Sequence, residues 1–209
     1  MFSLKGKVAF ITGSTKGIGK SIAEEMANLG ARVVISSRKA DACEAVAKEF
    51  AARGQEAMAL PCHVGSKEAC QTAVNTIIEK WGGIDTLVCN AASNPHFGPL
   101  ATASDEVFDK IMETNVKSVF WLGNMVLPQM AARGGGSMII ISSIGALRGS
   151  QVLGLYGTSK AAEAGLARAL AAEWGPKNIR VNTVLPGLIK TEDRKSTRLN
   201  SSHIPLSRM

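Results

Sequence analysis

Tyr156 is the only tyrosine in the chain, and Lys160 follows it by four positions in Tyr156-Gly157-Thr158-Ser159-Lys160. On a helix that spacing places both side chains on one face, about 5.4 Å apart along the axis. A nearby ammonium favours phenolate, drawing a phenol from its usual value of about 10 toward the working range. Such a phenol can give a proton to a carbonyl oxygen as hydride arrives, or take it back in the reverse direction. Ser143 lies thirteen positions before Tyr156 and directly follows the apolar run Ser137–Ser142. From there its hydroxyl can hold the reacting oxygen near the phenol.

A second cluster suits a phosphate. Gly13, Ser14, Thr15, Lys16, Gly17, Ile18 and Gly19 follow the apolar run Val8–Thr12 and open an amphipathic segment. Glycines let the backbone turn tightly and approach a pyrophosphate, and the N–H groups of a helix N-terminus then hold the anion. The spacing G-x3-G-x-G differs from the commoner G-x-G-x-x-G. At the end of the second apolar run stands Ser36-Ser37-Arg38-Lys39, with no acid until Asp41. A carboxylate there would accept from an adenosine ribose and repel a 2′-phosphate, whereas Arg38 and Lys16 would attract one. The expected cofactor is therefore NADP(H) rather than NAD(H).

Six short runs could form the sheet that positions these residues: Val8–Thr12, Arg32–Ser37, Ala57–Cys62, Asp85–Cys89, Ser137–Ser142 and Arg180–Val184. Their near-continuous apolarity fits strands covered on both faces. Between them fall helical spacings, such as Ile18, Ile22, Met26 and Leu29, then Val74, Ile77, Ile78 and Trp81, then Ala161–Trp174. The alternation predicts an α/β, doubly wound Rossmann fold: a parallel sheet of at least six strands in order 3-2-1-4-5-6, helices on both faces. One dinucleotide-binding and catalytic domain is expected over residues 1–193. Residues 194–209 carry four Ser, no acid and no periodicity, and read as a disordered or foreign tail.

Composition narrows the function classes. The 209 residues are 45% apolar and 20% charged, which suits one soluble domain and excludes a disordered chain. The net charge of +7 falls to +3 without the four Lys/Arg of the tail, and no basic block with interleaved aromatics follows. Nucleic acid is thus not an expected partner. No apolar stretch approaches the ~20 residues of a membrane span, and no secretory signal opens the chain. Cys43, Cys62, Cys70 and Cys89 show no CxxC spacing. Reduced, buried thiols in a cytoplasmic protein are expected, with no metal site.

Taken together, these motifs make residues 5–193 similar to the short-chain dehydrogenase/reductase family. The glycine loop resembles that family's T-G-x3-G-x-G, and Asn90-Ala91-Ala92 resembles its N-N-A-G, with Cys89 and Ala92 in place of the first Asn and the Gly. Asn115 in Thr114-Asn115-Val116 matches the family's helix asparagine, and Ser143, Tyr156 and Lys160 match its catalytic set. Pro186, Gly187, Ile189 and Thr191 resemble the loop that holds the nicotinamide carboxamide. The resemblance implies hydride exchange between NADP(H) and a carbonyl or secondary alcohol. It makes Tyr156 the proton donor, with Lys160 lowering its pKa and bonding the nicotinamide ribose. Ser143 positions the oxygen, and Asn115 holds a relay water. His63 and Val64 fall at the adenine position, where the family usually has Asp for His63; a neutral imidazole could accept one hydrogen bond there. Cys62-His63-Val64-Gly65 and the Arg38 segment look like the retinal/carbonyl reductase branch. A 3-oxoacyl-thioester reductase is the enzymatic alternative, and a nucleotide-binding or interaction protein without turnover the non-enzymatic one. A homodimer or homotetramer is implied for a complete chain. The family's closing C-terminal elements are not readable here, so a C-terminally shortened member is expected. His96 is a further candidate at the substrate mouth, and Trp121 and Trp174 at a subunit interface or in the core.

Overall fold

Strand side chains alternate between faces, so a sheet made of continuous apolar runs needs cover on both. The computed structural model describes residues 2–191. Its strands are β1 Val8–Thr12, β2 Arg32–Ser36, β3 Ala57–Ala59, β4 Thr86–Cys89, β5 Gly136–Ile141 and β6 Ile179–Val184. The helices between them are α1 Gly17–Asn28, α2 Ala40–Ala51, α3 Lys67–Trp81, α4 Asp105–Met112, α5 Ser118–Ala132 and α6 Gly154–Trp174. The sheet runs β3-β2-β1-β4-β5-β6, every pair parallel, as the sequence predicts. Val8 pairs with Arg32 at one end of β1 and Thr12 with Ser36 at the other. This register sets the ends of both strands, and the loops that follow them, side by side.

The two faces build two cores. Phe10, Val34, Leu87, Met138 and Ile140 pack under α3, α5 and α6, against Val74, Ile77, Leu122, Leu127 and Leu170. On the other face Ala9, Ile11, Val33, Ile35 and Val88 meet Ala23 and Ala27 of α1 and Val46 and Phe50 of α2. Beyond α1 that second face opens into an apolar trough lined by Leu4, Ile22, Met26, Val184, Pro186 and Ile189. Among the described residues β6 has no neighbour on its outer side.

Local chemistry sets several boundaries. Ser66 caps α3 by accepting from the Ala69 amide at 3.1 Å, and Gly82, at φ +80°, ends it. Ser104 caps α4 in the same way. Between α4 and α5 the chain makes a π-turn over Glu113–Lys117, with the Ser118 amide donating to the Glu113 carbonyl. Asp85, at the start of β4, accepts from the Val8 amide at 2.9 Å and lies 3.2 Å from Arg133 and 3.6 Å from Lys7. β3 is shorter than the predicted Ala57–Cys62, ending at Ala59. Leu60 and Cys62 still donate to Ile35 and Ser37 across the gap. All four cysteines are free and buried, as expected. Among the described residues no helix is long and apolar enough to cross a membrane, and no three His, Cys, Asp or Glu could share a metal ion. The tail expected over 194–209 lies outside the described residues.

Candidate active site

The loops after β1, β2, β3 and β4 meet around a cleft of about 400 Å³ at the carboxyl ends of the strands. This is where open parallel sheets bind ligands. Gly13, Thr15, Lys16, Gly17, Ile18 and Gly19 line it, with Arg38, His63, Val64, Asn90, Ala91 and Thr191. The glycines are required by geometry. Gly13 and Gly17 sit at φ +67° and +56°, a region costly for other residues. A Cβ on Gly19 would lie 2.3 Å from the Gly13 carbonyl oxygen and 2.5 Å from the Asn90 amide nitrogen. That amide donates to the Thr12 and Gly13 carbonyls at 2.9 and 3.0 Å. The Thr12 hydroxyl accepts from the backbone amides of Asn90 and Ala91, both at 3.0 Å. The loops after β1 and β4 are thereby stitched together.

The N-terminus of α1 opens on this cleft with no side-chain cap at Lys16 and no acid in its first turn. Its orphan N–H groups and positive dipole end suit an anion. Cationic Arg38 and Lys110 line the same cleft. Thr114 lines it too, and its buried hydroxyl has no hydrogen-bond partner among the described residues. A dinucleotide cofactor fits this donor set: glycines that admit a close phosphate, a helix N-terminus without a side-chain cap, cations at the rim and the Thr114 hydroxyl.

Several of the expected site residues take partners within the chain. The Ser14 side chain is fully buried rather than in the cleft: its hydroxyl donates to Ile11 O at 2.7 Å and accepts from the Ser36 amide. It ties the ends of β1 and β2, a strut that a hydroxyl alone could not reveal in the sequence. His63 uses Nδ1 to accept from the Gly65 amide at 3.0 Å. In the neutral ring Nε2 is then an N–H donor, so the acceptor expected toward an adenine amino group is already occupied. His96 folds back on its own loop, with Nε2 3.1 Å from Pro99 O. Pro186 and Ile189 line the apolar trough, and the Pro186 carbonyl accepts from Ile144. Gly187 lies against the Ile144 side chain.

The catalytic candidates gather where β5 ends and α6 begins. Ser142 donates to Val184 O and Ile144 to Pro186 O, which holds Ser143 in extended backbone between two anchored neighbours. The turn after it lies against α6, where a Cβ on Gly157 would come within 2.8 Å of Gly145 O. Tyr156 is half-buried on the first turns of α6. Lys160 is 1% exposed, and its Nζ lies 5.6 Å from the Tyr156 ring centre. That ammonium donates to Ile141 O at 3.0 Å and to Glu163 Oε1 at 2.8 Å. Glu163 is equally buried, and burial pushes its carboxyl up to about 7 against the pull of Lys160. Its second oxygen has no partner among the described residues. Asn115, fully buried in the π-turn, accepts from the Ser93 amide at 2.8 Å. It donates to Ser93 O at 3.1 Å and to the Ser159 hydroxyl at 2.9 Å. Ser159 in turn donates to Tyr156 O at 2.7 Å.

Sequence reasoning missed Thr12, Lys110, Thr114 and Glu163 as members of these sites. The family model for short chain dehydrogenases matches residues 7–202. Dehydrogenase/reductase SDR family member 4 of Sus scrofa is 45% identical over 188 residues, covering 90% of this chain and 67% of that protein. Human dehydrogenase/reductase SDR family member 2, mitochondrial, is 43% identical over 95% of this chain and 71% of its own length. A 7α-hydroxysteroid dehydrogenase solved with NADH and 7-oxo glycochenodeoxycholic acid superposes with a TM-score of 0.88 at 38% identity, covering 92% of this chain and 74% of that one. A short-chain dehydrogenase/reductase from Mycobacterium ulcerans gives 0.89 at 28% identity, covering 92% and 71%. Sheet order, glycine cradle and overall sequence agree, and the chain belongs to the short-chain dehydrogenase/reductase family of nicotinamide-dependent oxidoreductases.

Proposed function

We propose that the chain exchanges hydride between NADP(H) and a ketone or secondary alcohol, with Tyr156 as the acid–base group. The observation that carries this reading is the buried Lys160 ammonium beside the half-buried Tyr156 ring, one loop from Ser143. Gly13, Gly17, Gly19 and the α1 amides would hold the pyrophosphate, and Arg38 would hold a 2′-phosphate through its planar fork. Once bound, NADP(H) supplies or takes up the hydride. In the reductive direction the carbonyl carbon gains that hydride while the Tyr156 O–H gives its proton to the oxygen. Ser143 donates to the same oxygen and fixes its place. The nearby ammonium stabilises the phenolate left behind. Asn115 acts through Ser159 and the Tyr156 carbonyl, bracing the helix turn that carries the phenol.

Around this end of the sheet several large apolar side chains are exposed, beside polar Asn94, Arg148 and Gln151. Ile144 and Leu147 follow Ser143, Leu188 follows Gly187, and Phe97 and Leu100 lie on the loop that pairs with Val152 and Gly154. That rim favours a carbonyl on an apolar ring or chain over a 3-oxoacyl thioester, and the steroid ligand in one solved relative supports the choice. Four free buried thiols suit the cytoplasmic reading. Exposed Phe108 and Phe120 on α4 and α5 suit a homodimer or homotetramer.

NADPH consumption with a steroid ketone, a small diketone and a β-ketoacyl thioester tests the proposal. Turnover of the apolar ketones is expected, and Tyr156→Phe should lower kcat by about 10²-fold or more with cofactor affinity intact. A fully active Tyr156→Phe variant would overturn the mechanism. Cofactor binding without consumption of any of the three would favour a non-catalytic nucleotide binder.

A further inference from the structure

A buried carboxylate next to a buried lysine calls for a reason beyond stability. Removing two charges from water costs several kcal/mol per ion, and a well-packed apolar pair of the same volume is often as stable. Here both side chains are 2% exposed, and one Glu163 oxygen is left without a partner among the described residues. Of the three Lys160 donors, one goes to Glu163 and one to Ile141 O.

We propose that Glu163 is a positioning residue: it holds the Lys160 ammonium in place beside Tyr156 and, by carrying the opposing charge, sets how readily the Tyr156 phenol ionises. The inference deepens the reading of Tyr156 as the proton donor and rests on it. The groups that face Glu163 define its environment. Lys160 comes from its own helix, Cys89 from β4, and the Ser142 hydroxyl from the end of β5. Burial, then the Glu163 charge, pushes the Cys89 thiol well above its ordinary value, so it stays neutral across the working range. Among these groups the charge balance around Lys160 therefore falls to Glu163. Burial also raises the Glu163 carboxyl to about 7, so this balance shifts within the range in which a dehydrogenase works.

Tyr156 and Glu163 are seven residues apart on α6, about 10 Å along the axis. At that separation and an effective dielectric near 20, one full charge moves an ionisation by about one pH unit. The chain's single tyrosine makes the measurement direct, because the near-ultraviolet change on phenolate formation reports Tyr156 alone.

The experiment titrates the unmodified chain, Glu163→Gln and Glu163→Asp, with far-ultraviolet circular dichroism at each pH to show that the chain stays folded. Glu163→Gln keeps an oxygen for Lys160 but removes the charge, and its Tyr156 midpoint should fall by about one pH unit. Glu163→Asp keeps the charge and should titrate like the unmodified chain. An unchanged or raised midpoint in Glu163→Gln overturns the proposal. So does a chain that fails to fold as Glu163→Gln yet folds as the double variant Lys160→Met/Glu163→Leu, since the pair would then serve the fold alone. The titration needs neither cofactor nor turnover, so it stands apart from the Tyr156→Phe assay of the underlying mechanism.

Discussion

Gly19→Ala adds one methyl group at the tightest point of the phosphate cradle. The new Cβ would lie 2.3 Å from the Gly13 carbonyl oxygen and 2.5 Å from Asn90 Nδ2. Neither neighbour is free to yield, because the Asn90 amide is held by two carbonyls at 2.9 and 3.0 Å. Forcing such an overlap in a packed site costs about 1–3 kcal/mol. Losing both Asn90 hydrogen bonds adds about 1 kcal/mol each. The expected loss is therefore about 3–5 kcal/mol, which for a domain of this size lowers Tm by roughly 6–20 °C. Asn90→Ala alone should remove the two bonds without the overlap. In the double variant the methyl gains room on the Asn90 side, so the two losses should fall short of additive by about 1–2 kcal/mol. Thermal melts of the four chains give the cycle, and NADPH titrations should show the cradle weakened in parallel. A Gly19→Ala loss under about 1 kcal/mol, or a strictly additive cycle, would refute the claim that Gly19 is reserved for the Asn90 amide.

Arg38→Asp should weaken NADPH binding by about 10²-fold or more while leaving NADH nearly unchanged, since charge-assisted phosphate contacts carry about 1.5–3 kcal/mol each. Equal losses in the two binding titrations would refute the clamp. Asn115→Ala removes three buried hydrogen bonds and should cost about 3 kcal/mol, with kcat falling more than cofactor affinity. A stability loss without a kcat effect would confine Asn115 to the fold. Asp85→Asn tests a pH limb. Burial pushes the Asp85 carboxyl up, but the Val8 amide, Arg133 and Lys7 hold it below the ordinary carboxylate value. A depressed carboxylate contributes stability above its unfolded value of about 3.9 and loses it as the pH falls through the folded value. Denaturant melts from pH 6 downward should therefore show the unmodified chain losing stability below about pH 4 faster than Asp85→Asn. Parallel acid limbs would sink this assignment.

The sheet was legible because its signal is physical and local. Runs such as Val8–Thr12 are apolar on both faces when both are covered; four of its five residues are apolar and all five are buried. The approach of Lys160 to Tyr156 was legible for a different reason: four positions along a helix set two side chains on one face. What stayed hidden depends on the third dimension. Ser14 reads as a ligand and is a strut, because only the strand register shows Ser36 beside it. Glu163 reads as one acid among small residues, and nothing in Ala161-Ala162-Glu163 announces that its side of α6 lies in the core. Lys110 reaches the cleft because the chain's long excursion after β4 brings α4 to its rim. The protonated nitrogen of His63 is decided by the Gly65 amide two residues away, a contact that residue type cannot announce.

The five-residue turn at Glu113–Lys117 also means that the site is specified by a count of residues as well as by their identities. A π-turn accommodates one residue more than an α-helix over the same rise, and so shifts the phase of everything on one side of it by about 100°. Deleting a single residue there would let α4 and α5 run on as one regular helix. Asn115 would then turn away from Ser93 and Ser159, and Lys110 would rotate off the cleft, although no other side chain had been changed. This segment should therefore accept substitution at its exposed position, Lys117, and almost no change of length, the opposite of an ordinary surface loop. A single-residue deletion scan from Asp105 to Ala132 would show that intolerance as a sharp minimum across the turn.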